Sequence, residues 1–232
     1  MTSRSTSVRR RTDTGSLGRW MGGVRQGNCA LTHGEPMTTQ PSPTARCRAE
    51  SVTPEGVSDG WTPNLFYRVQ AEDGQQRIAV SAPADELGRV LRGLVAAVGE
   101  SVSVLYRQKI DRRDPKPQGH PGRDFVALDQ QQQAVQAAFL AADGLLACDA
   151  RSEVWVRGSG GEQLVLDQDG QLFVYGAGDS VIDALASLGV PLGDGPMIGE
   201  RDYVKHWFFA DYDAEEDGLM RSLALTEIPV RR

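Results

Sequence analysis

Phe66-Tyr67-Arg68-Val69-Gln70-Ala71-Glu72-Asp73-Gly74-Gln75-Gln76-Arg77-Ile78-Ala79-Val80-Ser81, followed by Ala82-Pro83-Ala84-Asp85-Glu86-Leu87, is the stretch on which the fold turns. Apolar residues alternate on both sides of Asp73-Gly74, the period of a half-buried strand. Asp-Gly suits a tight turn, because both central residues take positive φ, which Asp tolerates and Gly adopts freely. The stretch reads as a β-hairpin. The helix after it is equally legible. Leu87, Val90, Leu91, Leu94, Val95 and Val98 recur at i, i+3, i+4, i+7, i+8 and i+11, one face of an α-helix. Pro83 opens it, Asp85 and Glu86 suit the positive end of its dipole, and Gly99 closes it.

The same order returns further along the chain. Leu164-Val165-Leu166 leads into Asp169-Gly170-Gln171, then Leu172-Phe173-Val174-Tyr175, then a helix from about Ser180. Aligned helix on helix, Leu91 matches Leu185 and Leu94 matches Leu188. Two similar ββαβα units, 61–142 and 143–232, follow from this reading. Convergence is the competing explanation, since Asp-Gly is the strongest short-range hairpin signal.

Between and after these stretches, 102–108 reads as a strand. Residues 125–128 read as a short strand, and Asp129 as the cap of a helix reaching Ala142. Residues 145–149, 153–157, 163–167 and 172–175 read as consecutive strands of an antiparallel meander. Asp179 is expected to cap the helix carrying Val181, Ile182, Leu185 and Leu188. Residues 203–209 form the most aromatic strand, and Asp213 with Glu216 resembles a capping box for a last helix. The fold class is α+β, with mostly antiparallel sheet and about four amphipathic helices.

The 232 residues suffice for one large domain or two small ones. Residues 1–60 are rich in Arg, Ser, Thr, Gly and Pro, with no periodic apolar face to offset chain entropy. They read as a disordered N-terminal segment ahead of a globular domain at 61–232. Met37 offers a second initiator, which would make 1–36 an artefact of start assignment. Arg9-Arg10-Arg11 is followed by Thr12-Asp13-Thr14-Gly15-Ser16, not by the apolar stretch of a secretory signal. Residues 1–60 hold eight arginines and five acids; the remainder holds 17 bases and 26 acids. An acidic domain argues against nucleic acid, whose phosphates need clustered Lys and Arg. No window is long and apolar enough for a membrane span.

Cys29, Cys47 and Cys148 lack metal-ligand spacing and are odd in number, so neither a disulfide framework nor a zinc site is expected. Cys148, in the run Leu145-Leu146-Ala147-Cys148, reads as a small buried hydrophobe. A reducing cytoplasm fits best.

The chemistry-bearing residues are few. The long loop from 110 to 124 carries three prolines and two glycines, which forbid regular structure. It offers Arg112, Arg113, Lys116, His120 and Arg123, cations able to converge on a phosphate or carboxylate. Asp111, Asp114 and Asp124 neutralise much of that charge, so a solvated loop is the plainer reading. Gly176-Ala177-Gly178 opens a helix like a phosphate-binding turn. Val181 stands where a third glycine belongs, and Asp179 where an anion would sit, so a tight turn is favoured. Asp211, Asp213, Glu215, Glu216 and Asp217 partly resemble a calcium-loop start. Ala224 replaces the bidentate Glu, which favours a helix N-terminus instead. Lys205 and His206 read as polar groups of a core strand. There is no G-x-S-x-G and no P-loop motif, and an apolar setting leaves a Cys148–His206 pair inert.

The reading is a cytoplasmic acidic protein that works by binding, engaging a basic protein partner, without cofactor, metal, nucleic acid or membrane. The competing reading is a small enzyme or ligand-binding domain whose 110–124 loop binds a small anion. No residue is assigned a catalytic role.

Overall fold

The computed structural model describes residues 46–72, 75–110, 122–206 and 209–229. The strands among them are β1 (Ala49–Ser51), β2 (Phe66–Glu72), β3 (Gln75–Ser81), β4 (Ser101–Gln108), β5 (Arg123–Gln131), β6 (Ser152–Gly158), β7 (Gln163–Leu166), β8 (Leu172–Tyr175), β9 (Tyr203–Lys205) and β10 (Thr226–Ile228). The helices are α1 (Ala84–Ala97), α2 (Gln132–Ala141), α3 (Asp143–Cys148), α4 (Asp179–Ser187) and α5 (Asp213–Ser222). Eight strands form one sheet in the order β10-β5-β4-β6-β7-β8-β3-β2, every neighbouring pair antiparallel. β1 and β9 form a separate two-stranded ribbon. The chain is α+β with a mostly antiparallel sheet, as expected.

The core lies between the sheet and the helices. Alternate residues of the strands point into it: Ile78 and Val80, Val104 and Tyr106, Val154 and Val156, Leu164 and Leu166, Leu172 and Val174. α1 is the central helix, packed by α2, α3 and α4. Its Val90, Leu94 and Val95 are fully buried on the face that the sequence period marks. Burying each such side chain contributes roughly 1.5–3 kcal/mol. Gly93 lets α4 approach closely, because a Cβ there would lie 2.5 Å from Leu188 Cδ1.

The other face of the sheet is apolar along one row. Leu105, Trp155, Val165, Phe173 and Ala79 are cross-strand neighbours on β4, β6, β7, β8 and β3, and all are buried. The Arg107 guanidinium lies 5.4 Å from the Trp155 ring centroid and that of Arg77 lies 4.2 Å from Phe173.

Several expectations are corrected. Part of the segment read as disordered belongs to the fold, with Arg48 and Ala49 buried and β1 paired to β9; residues 1–45 lie outside the described residues. Residues 145–149 are not a strand. Leu145, Leu146 and Ala147 belong to α3, and a short apolar run carries no period that separates the two states. Asp129 is not a helix cap. It lies in β5 with φ 52°, opposite a register shift between Val102 and Val104, and α2 starts at Gln132. Gly178, not Asp179, is the N-cap of α4. The aromatic strand shrinks to β9, on the small ribbon, and Trp207 and Phe208 lie outside the described residues.

The two Asp-Gly-Gln triplets also differ. The first hairpin closes at Glu72↔Gln75, with Asp73 and Gly74 outside the described residues. The second closes at Leu166↔Leu172, leaving 167–171 as a longer turn in which Gly170 takes φ 80°. After α1 the chain adds β4 to the main sheet, whereas after α4 it leaves that sheet for β9.

Candidate functional site

The long loop predicted from 110 to 124 leaves the main sheet at the end of β4 and returns at β5. Arg112, Arg113, Lys116 and His120 lie outside the described residues. Arg123 is exposed at the start of β5. Its guanidinium pairs with Glu227 of β10 at 2.7 Å and lies 4.9 Å from the Phe125 ring centroid. At the loop base, Lys109 pairs with Glu153 at 3.0 Å and Arg107 with Asp124 at 3.0 Å. Gly122 returns against the β4 backbone, where a Cβ would come within 2.9 Å of the Gln108 carbonyl. The backbone N–H of Lys109 donates to the Arg151 carbonyl at 2.8 Å.

That carbonyl belongs to the densest polar cluster among the described residues. Arg151, just ahead of β6, is 1% exposed. Its guanidinium donates to Asp149 at 2.7 Å, Asp213 at 2.8 Å, Glu216 at 3.1 Å and the Phe209 carbonyl at 2.9 Å. Glu216, also fully buried, accepts from the Tyr106 hydroxyl at 2.6 Å and the Gln108 amide at 3.0 Å. Asp149 further accepts from the backbone N–H groups of Arg151 and Phe209. Burial alone lowers the Arg151 pKa; Asp149, Asp213 and Glu216 override it and hold the guanidinium above its ordinary value. Burial, then Glu216, pushes the Tyr106 phenol well up.

A second buried arginine sits beside it. Arg48 donates to the carbonyls of Leu146 at 2.8 Å and Ser152, and its Nε points at that of Gln168 at 3.5 Å. This ties the segment before β1 to α3, β6 and the β7–β8 turn. In that turn Asp167 accepts from the backbone N–H groups of Asp169 at 2.9 Å and Gln171 at 2.8 Å. Burial, with Asp169 next to it, pushes the Asp167 carboxyl up to about 7. Asp169 meets Lys205 at 2.8 Å and the Tyr203 hydroxyl at 2.9 Å.

The remaining candidates are occupied by the fold. His206 pairs with Glu50 at 3.0 Å, and the Cys148 thiol meets the Tyr212 hydroxyl rather than His206. Burial raises both described thiols, Cys47 to about 11. The acids at 211–217 are neither a calcium loop nor a capping box. Asp211 pairs with Arg46, Asp213 and Glu216 with Arg151, and Glu215 accepts from the Leu145 N–H. Among the described residues no group of His, Cys, Asp or Glu is placed to hold a metal ion, and no helix is long and apolar enough to cross a membrane.

The cluster therefore binds the fold to itself. Both Glu216 oxygens are engaged, one by Tyr106 and Gln108 and the other by Arg151. An open cleft of about 700 Å³ lies elsewhere, lined by Val52, Asp59, Glu200, Arg201 and Asp202. Arg201 is held there by Asp59 at 2.7 Å and Ser51 at 2.8 Å, with its guanidinium 4.7 Å from the Trp61 ring centroid. No family model, curated protein or solved structure matches this chain.

Sequence reasoning missed Arg48, Tyr106, Gln108, Asp149 and Arg151. The available signal was Asp149-Ala150-Arg151, opposite charges set two apart between apolar runs. An isolated pair of that kind is commonplace on solvated strands and does not by itself mark a buried cluster.

Proposed function

We propose that this protein acts by binding, presenting an acidic surface to a basic protein partner. One observation carries the reading. Among the described residues twelve acids are exposed, against two bases, Arg123 and Arg221. Other described arginines are engaged by acids of the same fold, Arg68 by Glu200, Arg89 by Glu86, Arg92 by Asp143 and Arg151 by Asp149. A surface of this sign attracts a cationic partner and speeds encounter at low salt. It repels nucleic-acid phosphate and an anionic membrane for the same reason.

A reducing cytoplasm is part of the proposal, supported by free thiols at Cys47 and Cys148. So is a partial duplication. The β2–β3–α1 and β7–β8–α4 stretches share element order, meet through the β3–β8 pair, and pack their helices together. The anion-loop alternative draws less support, because Arg123 turns onto Glu227 and Phe125.

The test is capture from a native lysate, run beside a variant carrying Glu55→Gln, Asp194→Asn and Asp202→Asn. These three side chains are exposed and make none of the ion pairs described above. A basic protein retained at low salt, released by added salt and lost by the variant is the expected result. Retention unchanged in the variant, or stabilisation of the protein by phosphate or carboxylate with no basic protein retained, overturns it.

A further inference from the structure

The two edges of the main sheet are built differently. β10 is three residues long and runs into Pro229, a residue that cannot donate to a further strand. β2 is seven residues long, pairs in unbroken register with β3, and carries neither proline nor bulge. Among the described residues its outer side is closed at Tyr67. Tyr67 N–H donates to the Pro191 carbonyl at 2.8 Å and the Tyr67 carbonyl accepts from Gly193 N–H at 2.9 Å. Outward-pointing groups alternate along a strand, so Val69 and Ala71 also present theirs outward. Among the described residues no backbone partner meets them. Val69 is 54% exposed and Leu192, bridged to Tyr67, is 68% exposed, which leaves an apolar lip along the same edge.

We propose that this edge pairs with the same edge of a second copy of the chain, antiparallel about a two-fold axis at Gln70. The register follows from the backbone. Tyr67 is already taken, so only Val69 and Ala71 have bonds to offer. Facing Val69 with the second copy's Ala71, and the reverse, uses all four outward groups of each strand. Centring on Val69 sets Ala71 against the second copy's Tyr67, whose outward groups are taken, and centring on Ala71 sets Val69 against position 73, outside the described residues. A closed two-fold pairing removes the edge as a template for open-ended association.

Sedimentation velocity over a dilution series of the full chain reads the dimer directly. Val69→Lys places a charge on the exposed lip, where the monomer fold tolerates it, and is expected to leave only monomer. Gln70→Cys reads the register, because the two residues on the axis form a non-hydrogen-bonded pair whose Cα spacing suits a disulfide. Under glutathione disulfide the two new thiols join as one S–S bond while the oxidant is reduced to two glutathione thiols. Gln76→Cys, on β3, is the control and is expected not to cross-link. Monomer at every concentration without cross-linking at position 70, a dimer that survives Val69→Lys, or equal cross-linking at 70 and 76 overturns the proposal.

Discussion

Arg48 and Arg151 are both 1% exposed and lie at the same end of the main sheet, yet they are held in opposite ways. Arg151 is surrounded by carboxylates on Asp149, Asp213 and Glu216. Arg48 donates to main-chain carbonyls of Leu146 and Ser152. The electrostatic outcome follows the partners. Burial lowers the Arg48 pKa, with Asp167 and Asp149 offsetting only part of it, whereas the carboxylates of Arg151 hold its charge more firmly than water does. One arginine joins carboxyl side chains from two parts of the chain. The other uses its planar fork to satisfy backbone groups that helix α3 and strand β6 leave unpaired. The first is a charge balance, the second a set of directed donors.

The comparison predicts different costs. Arg151→Ala removes the guanidinium that pairs with buried Asp149 and Glu216 and is expected to destabilise by about 3–5 kcal/mol. Arg48→Met keeps much of the apolar stem and removes no buried anion's partner, so the expected loss is about 1–3 kcal/mol, the cost of carbonyls left without donors. Urea unfolding of the two variants gives both values. Equal losses would mean that the surroundings of a buried arginine do not decide what it contributes.

Glu216→Gln sharpens the same contrast at a smaller scale. A glutamine oxygen still accepts from Tyr106 or Gln108, and Arg151 keeps Asp149 and Asp213. The expected loss is about 1–2 kcal/mol, that of weakening charged hydrogen bonds without orphaning a charge. A loss as large as that of Arg151→Ala would show that Glu216, not the three-carboxylate set, carries the cluster.

Legibility in the sequence divides along the same line between local and distant partners. α1 was readable because its six apolar positions repeat at the helical period, and the β2–β3 hairpin because its strands alternate. The β6–β7–β8 meander is readable as apolar runs separated by the turn-forming Gly158-Ser159-Gly160-Gly161 and Gln168-Asp169-Gly170. What failed depended on distant chain. Leu145–Cys148 is helical because α3 is seated between α1 and α5, and no period of its own declares it. Arg48 lies in a stretch whose composition is that of a disordered tail; its burial requires carbonyls roughly a hundred residues away, at Leu146 and Ser152. The acids at 211–217 were visible as a cluster, but their partners Arg46 and Arg151 were not. Of the predicted anion site only Arg123 falls among the described residues, so the loop contributes one side chain to the account.

The smallest effect expected is a dependence on pH, and it separates the two arginines most cleanly. Asp167 lies near Arg48 but spends its oxygens on the turn, accepting from the backbone N–H groups of Asp169 and Gln171 and from the Gln171 amide at 3.3 Å. Asp169 beside it is engaged by Lys205 and Tyr203. With burial and Asp169 outweighing Arg48, the folded carboxyl keeps its proton up to about 7, while its ordinary value is 3.8. Between those values the folded state holds a proton that the unfolded chain has released. Stability therefore falls as pH rises through this window, and the loss is complete above it. Asp167→Asn mimics the protonated form and retains an oxygen for the two N–H groups. It is expected to flatten that fall, with a gain of about 1 kcal/mol at pH 8 and little change at pH 4. Thermal unfolding of both proteins across the range measures it. A slope through neutral pH that persists in Asp167→Asn would assign the titration to another group and remove this distinction between the two arginine sites.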